Sequence, residues 1–284
     1  MPYAQLSQVR LHYNEHGHGP ETLVLVHGFQ MSGRVWQLVQ QALPEDRYRT
    51  LAPDLRGAGA TDAPPDEAAY GVDVFAADLH ELVTQLGRRD FTLVGHSMGG
   101  ATVARFAVDH PALLKALILV DPTDPDGRAA ASPAEIDRAV EERMTARRAA
   151  LARGAADDDL GLPSGGPHAA LFQQLAEDVR TAPEPRLRGT VRSLYRLRLG
   201  EQVAHLPMPV LFTCGDADRT IPIEQLLRTW AKYPKGTGLQ VWHGVGHSPN
   251  LEVPDQLAAV LQHFIAHSAR ESPGRLDATR LARP

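Results

Sequence analysis

Apolar positions recur along this chain in two alternating patterns. Short strand-forming runs lie at Val9 to Tyr13, Leu23 to His27, Tyr48 to Ala52, Phe91 to Gly95 and Ala116 to Val120, with helically spaced stretches among them. This alternation predicts βαβ units around a mostly parallel sheet. Phe75, Leu79, Leu82, Val83 and Leu86 keep i, i+4, i+7, i+8, i+11 spacing and stop at Gly87, which predicts an amphipathic helix with its end signal. Phe91 to Val94 is apolar without interruption, as a strand covered on both faces requires, so it is placed centrally.

After Asp121 the pattern changes. Pro122, Pro125 and Pro133 lead into a stretch rich in alanine, arginine and acids that lasts to about His205 and reads as a helical insertion. Its first helix has a clear start, with Ser132 as cap, Pro133 in the first turn and Glu135 closing a capping box. Ile136, Val140 and Met144 give that helix one apolar stripe. Leu160 to Pro167 is looser, and helix is expected again from about His168 and from Gly189 to Leu199. Alternation returns with Pro209 to Thr213, the Ile223, Leu226, Leu227, Trp230 stripe, Gly238 to Trp242, and a last helix through Leu257, Val260, Leu261 and Phe264.

Composition narrows the class. The 284 residues are 43% hydrophobic and 22% charged, a globular balance and not a disordered one. With 29 basic against 34 acidic residues the net charge is -5, which argues against a nucleic-acid partner. The longest apolar runs are strand-sized, far short of the ~20 residues that a membrane span needs. Met1 to Arg10 shows no basic region followed by an apolar stretch, so a cytoplasmic location is the expectation. The one cysteine, Cys214, has no disulfide partner in the chain.

The sharpest chemical signal is Gly95-His96-Ser97-Met98-Gly99-Gly100, between an apolar strand and a helix containing Val103 and Phe106. A G-x-S-x-G turn lifts a serine hydroxyl above a sheet on strained backbone, and glycines two residues to either side avoid the collisions that side chains would make. The helix beginning after Ser97 aims backbone N–H groups and its positive dipole end at the same point. Two histidines compete as the base, His243 and His247, separated by glycines that exclude a helical zinc-binding pair.

These features resemble the α/β-hydrolase superfamily, in its serine esterase-like branch with a helical cap. The likeness spans about residues 5 to 267 at the level of motif order. It implies an α/β-hydrolase fold, a mostly parallel central sheet with helices on both faces and an inserted helical cap. Residues 1–124 and 205–284 would form the core, with 268–284 a flexible tail, and 125–204 the cap or lid. It further implies Ser97 as nucleophile, Asp218 in Gly215-Asp216-Ala217-Asp218 as the acid, and His247 before Glu252 and Pro254 as the base. Asp216 is then the turn-former, and Asp121 ranks second as the acid. By the same resemblance the backbone N–H groups of Phe29, in His27-Gly28-Phe29, and Met98 form an oxyanion hole. Asp54-Leu55-Arg56-Gly57 is similar to a loop that buttresses it.

Other candidates carry less. His12, His16 and His18 are expected at the surface, His263 and His267 at solvated helix positions, and His96 as a spacer in the turn. Cys214 is expected to pack beside the sheet, and Arg188, Arg192 and Arg196 to form a solvated stripe. Serine at position 97 argues against the family's dehalogenases and epoxide hydrolases, which use aspartate. The resemblance implies a hydrolase of carboxylic esters or lactones working through an acyl-enzyme, with no cofactor and no metal. The partner is a small-molecule ester or lactone, with neither nucleic acid nor membrane, in a monomer or homodimer. Cleavage of an amide or carbon-carbon bond, a lyase-type reaction, and a slow-turnover ligand sensor are the alternatives. The size of the acyl pocket depends on how cap side chains such as Leu160, Leu162, Leu171, Phe172 and Leu175 pack over the serine, which the sequence does not fix.

Overall fold

Apolar residues alternate sides along the central strands, and two helical layers cover the two faces. A computed structural model describes residues 2–127, 131–153 and 166–268. Its strands are β1 (Tyr3–Gln5), β2 (Arg10–His16), β3 (Glu21–Val26), β4 (Tyr48–Pro53), β5 (Phe91–His96), β6 (Leu114–Val120), β7 (Val210–Gly215) and β8 (Gly238–Trp242). They form one sheet in the order β1-β2-β4-β3-β5-β6-β7-β8. Pairing is antiparallel for β1 with β2 and β2 with β4, and parallel from β4 onward. The expected α/β architecture is therefore the one observed. Only the short edge strand β1 had no counterpart in the hydrophobic pattern.

In β3, Val24 and Val26 face one apolar cluster, and Leu23 and Leu25 the other. The helices on the first side are α2 (Val72–Gln85), α3 (Met98–Asp109) and α8 (Ile223–Trp230); on the second they are α1 (Gln37–Ala42), the short α9 (Pro249–Glu252) and α10 (Pro254–Ser268). Phe75, Leu79, Phe106 and Val103 are completely buried on the first side. Each such side chain contributes about 1.5–3 kcal/mol by leaving water.

Between β6 and β7 lie α4 (Pro133–Ala152), α5 (Ala169–Thr181), α6 (Glu184–Arg196) and the short α7 (Gly200–Val203). The capping box at Ser132 and Glu135 forms as expected. Helix α6 begins five residues before Gly189, because Pro185 fits a first turn whose N–H groups need no partner. Val140, Met144, Leu187 and Val191 pack into a cluster that also touches Phe29. Polar contacts tie the insertion to the sheet layers: Arg34 pairs with Asp178 at 2.9 Å, and the Val72 N–H donates to Ser193 Oγ at 2.9 Å. The fully buried Arg186 donates to the Met31 carbonyl at 3.1 Å.

Leu171, Phe172 and Leu175 are buried in the apolar cluster that also holds Leu23, Val35 and Leu251, and none of them lines the cavity at Ser97. Leu160 and Leu162 lie outside the described residues, as do positions 269–284 of the expected tail. Ser268 closes α10 with its hydroxyl donating to the Phe264 carbonyl. Among the described residues no helix is long and apolar enough to cross a membrane.

Candidate active site

The site begins with backbone strain at the carboxyl end of β5. Ser97 has φ 54° and ψ -118°, a left-handed conformation rare for a residue with a side chain. Two glycines make room for it. A Cβ at Gly95 would stand 2.4 Å from the Gly99 carbonyl oxygen, and one at Gly99 would stand 2.5 Å from that of Val26. Helix α3 starts at the next residue, so its unpaired N–H groups point toward the serine.

Three side chains from distant parts of the chain meet here. His247 Nε2 lies 3.0 Å from Ser97 Oγ, and His247 Nδ1 lies 2.6 Å from Asp218 Oδ2. The other carboxylate oxygen of Asp218 accepts the N–H groups of Thr220 at 2.7 Å and Ile221 at 3.0 Å. Burial pushes this carboxyl toward the neutral form, but the His247 hydrogen bond and charge and the two backbone donors outweigh it and hold its pKa below the usual value. With Asp218 ionised, the His247 proton resides on Nδ1, leaving Nε2 as an acceptor facing the hydroxyl.

The competing residues are placed elsewhere. His243 is fully solvent-exposed and pairs with Asp216 at 2.8 Å; Asp216 also accepts the Gly244 N–H, as a turn-former should. Asp121 is buried at the end of β6, where one oxygen accepts the Gly215 N–H at 3.0 Å and the other has no hydrogen-bond partner among the described residues. Burial first, and then the neighbouring Asp218 carboxylate, raise its pKa well above the ordinary value. Asp121, Asp218 and His247 bring ligand atoms within 4.8 Å of one another. There the Asp218 and His247 atoms already share a short hydrogen bond.

Phe29 lies in the loop after β3, beside Gln30, which has φ 64°. Among the described residues neither the Phe29 nor the Met98 N–H is used in a loop or cap hydrogen bond. The loop is braced as expected, since Asp54 accepts the Gly33 N–H at 2.7 Å and the Ala60 N–H at 3.0 Å. His27 donates from Nδ1 to the Gly28 carbonyl and accepts the Leu55 N–H at Nε2. Burial and the nearby Arg186 charge lower the His27 pKa to about 4, which keeps the ring neutral.

Several contributors were not foreseen. His12 is buried, not superficial, and its Nδ1 meets Asp54 at 2.8 Å; its partner lies 42 residues away, beyond any local pattern. His96 is more than a spacer. Its Nε2 donates to the His247 carbonyl at 2.7 Å, linking the serine turn to the histidine loop, and burial followed by the His247 charge lowers its pKa to about 3. Glu252 grips the same loop on both sides of His247, accepting the N–H groups of Gly246 at 2.7 Å and Ser248 at 3.0 Å. Arg188 and Arg192 are not merely solvated, since they pair with Glu141 and Glu184, and with Glu67 and Asp137. Cys214 is buried as expected; burial and then the Asp121, Asp218 and Asp216 charges push its thiol up to about 12.

A strained serine above a parallel sheet, hydrogen-bonded to an imidazole that an aspartate orients, is an arrangement of serine hydrolases. Residues 21–254 match the family model described as the alpha/beta hydrolase fold, and the chain belongs to that family. It is 28% identical over 259 residues to a non-heme chloroperoxidase of Kitasatospora aureofaciens, covering 84% of this chain and 89% of the relative. A thermophilic esterase from Thermogutta terrifontis has the same fold, with a TM-score of 0.76 and 23% identity over 94% of this chain and 99% of its own. So does the enol-lactonase from Burkholderia xenovorans, with a TM-score of 0.77 and 19% identity over 93% of this chain and 100% of its own.

Proposed function

We propose that the protein is a serine hydrolase that cleaves a carboxylic ester or lactone through an acyl-enzyme intermediate. The observation that carries this reading is the continuous hydrogen-bonded path from Ser97 Oγ through His247 to Asp218. In the proposed cycle Ser97 attacks the ester carbonyl while His247 Nε2 takes its proton, and the Phe29 and Met98 N–H groups receive the developing oxyanion. The tetrahedral intermediate collapses, and the alcohol leaves with the proton held by His247. Water then attacks the acyl-serine with His247 as base, regenerating the hydroxyl. Residues 125–204 act as a cap over a core made of 1–124 and 205–284.

A fluorophosphonate probe and a short-chain p-nitrophenyl ester test the assignment. Covalent labelling and ester turnover are expected, and both should disappear in Ser97→Ala. Absence of label, or a label that survives this substitution, refutes the reading.

A further inference from the structure

Ser97 and His247 open into a cavity of about 820 Å³, whose wall includes Phe29, Val179, Arg143, Arg219 and Glu252. Arg143 comes from α4 and Arg219 from the loop that carries Asp218. Among the described residues neither guanidinium has an ion pair or hydrogen bond. Nearby arginines are engaged: Arg147 donates to the Val179, Arg180 and Ala182 carbonyls, Arg148 pairs with Glu184, and Arg188 and Arg192 hold two acids each.

The Arg143 Cζ stands 4.8 Å from the centroid of the Phe29 ring. A guanidinium stacked on a ring keeps its N–H bonds in its own plane, so its fork stays available at the edges. Arg143 and Arg219 are both solvent-exposed. Glu252, the one carboxylate among the described residues of the wall, already accepts two backbone N–H groups. The pocket that holds Ser97 thus presents, among the described residues, two cations without an anionic partner.

We propose that the cavity selects esters bearing a carboxylate in addition to the scissile bond, with Arg143 and Arg219 binding that carboxylate while Ser97 meets the ester carbonyl. This inference rests on the serine-hydrolase reading and names its substrate class. Bidentate guanidinium-carboxylate pairing supplies both energy and direction, as a lysine or a neutral wall does not.

The test compares monoethyl esters of four- to eight-carbon dicarboxylic acids with ethyl esters of monocarboxylic acids of equal chain length, following acid release at neutral pH. At the matching length the carboxylate ester should lead in kcat/KM by about tenfold or more, and added salt should shrink that lead. Arg143→Met and Arg219→Met should each lower the ratio between the two series, a quantity independent of how much enzyme is folded. Arg143→Glu should turn the preference toward an ester bearing a trimethylammonium group. Neutral esters cleaved with no carboxylate ester favoured at any length, or a preference that both methionine variants leave intact, overturns this inference alone. A wild-type protein that cleaves neither series and takes no fluorophosphonate label overturns the hydrolase reading and this inference with it.

Discussion

Replacing Asp218 with asparagine changes one atom and should remove nearly all activity, for a reason built into the loop after β7. The Thr220 and Ile221 N–H groups donate to Asp218 Oδ1, so an asparagine there keeps its carbonyl oxygen on them and turns its NH2 toward His247. That donor faces Nδ1 across the present 2.6 Å contact and forces the imidazole proton onto Nε2, the atom that must accept from Ser97. A base held in the wrong tautomer costs about 10⁴ in kcat, which at ~1.36 kcal/mol per tenfold is roughly 5.4 kcal/mol of transition-state stabilisation. The assay is p-nitrophenyl ester turnover by Asp218→Asn, with thermal unfolding and circular dichroism to establish that the fold is kept. A folded variant within tenfold of the wild-type kcat refutes the orienting role assigned to this carboxylate.

Asp121→Asn should behave oppositely, because the amide reproduces the neutral acid that burial already favours: kcat should stay within about threefold, and a loss near 10⁴ would make Asp121 part of the machinery. Arg56→Met leaves Asp78 buried without its two contacts of 2.7 and 2.6 Å, so urea unfolding should show a loss of about 3–5 kcal/mol, and a loss below ~1 kcal/mol would refute the account. Acidification should also destabilise the fold. His27 and His96 remain neutral in the folded state down to about 4 and about 3, whereas the unfolded chain takes up protons on them from about 6.5 downward, so stability falls by about 1.4 kcal/mol per pH unit for each. Asp121 and Asp78, both raised by burial, work the other way above their unfolded values, so the slope is read in Asp121→Asn, where at most one carboxyl opposes the two imidazoles, and unfolding free energies that are flat between pH 6.5 and 4 in that variant would contradict this. Gly99→Ala should produce little folded protein, as its methyl meets backbone oxygens of Val26 and His27 at 2.5 and 2.6 Å; normal expression and stability would show that the turn can relax.

The parts of the fold that could be read from the chain are those whose cause is local. Gly95 and Gly99 reveal the serine turn because the steric demand lies within two residues of Ser97. Ser132, Pro133 and Glu135 likewise place the start of α4 to the residue. Asp218 and His247 were reachable only through motif order, since nothing near either residue specifies a partner 29 positions away. Long-range packing was hidden altogether. Leu171, Phe172 and Leu175 have the same apolar spacing whether they face a substrate or a core, and only the tertiary packing that buries them in one cluster with Val35 and Leu251 decides. His12 and His96 look like any polar residue in a strand or turn until their partners, 42 and 151 positions away, arrive. Arg143 was equally silent, because a helix rich in arginine does not disclose which one lacks an acid.

The shielded thiol of Cys214 offers a practical opening. Because the chain's only native sulfhydryl is buried and resists ionisation, maleimide chemistry at neutral pH should leave it untouched. A cysteine introduced on the outer side of α4 would then be the one point of attachment for a fluorophore or spin probe. Motion of that helix during turnover could be followed without first stripping the protein of competing sites.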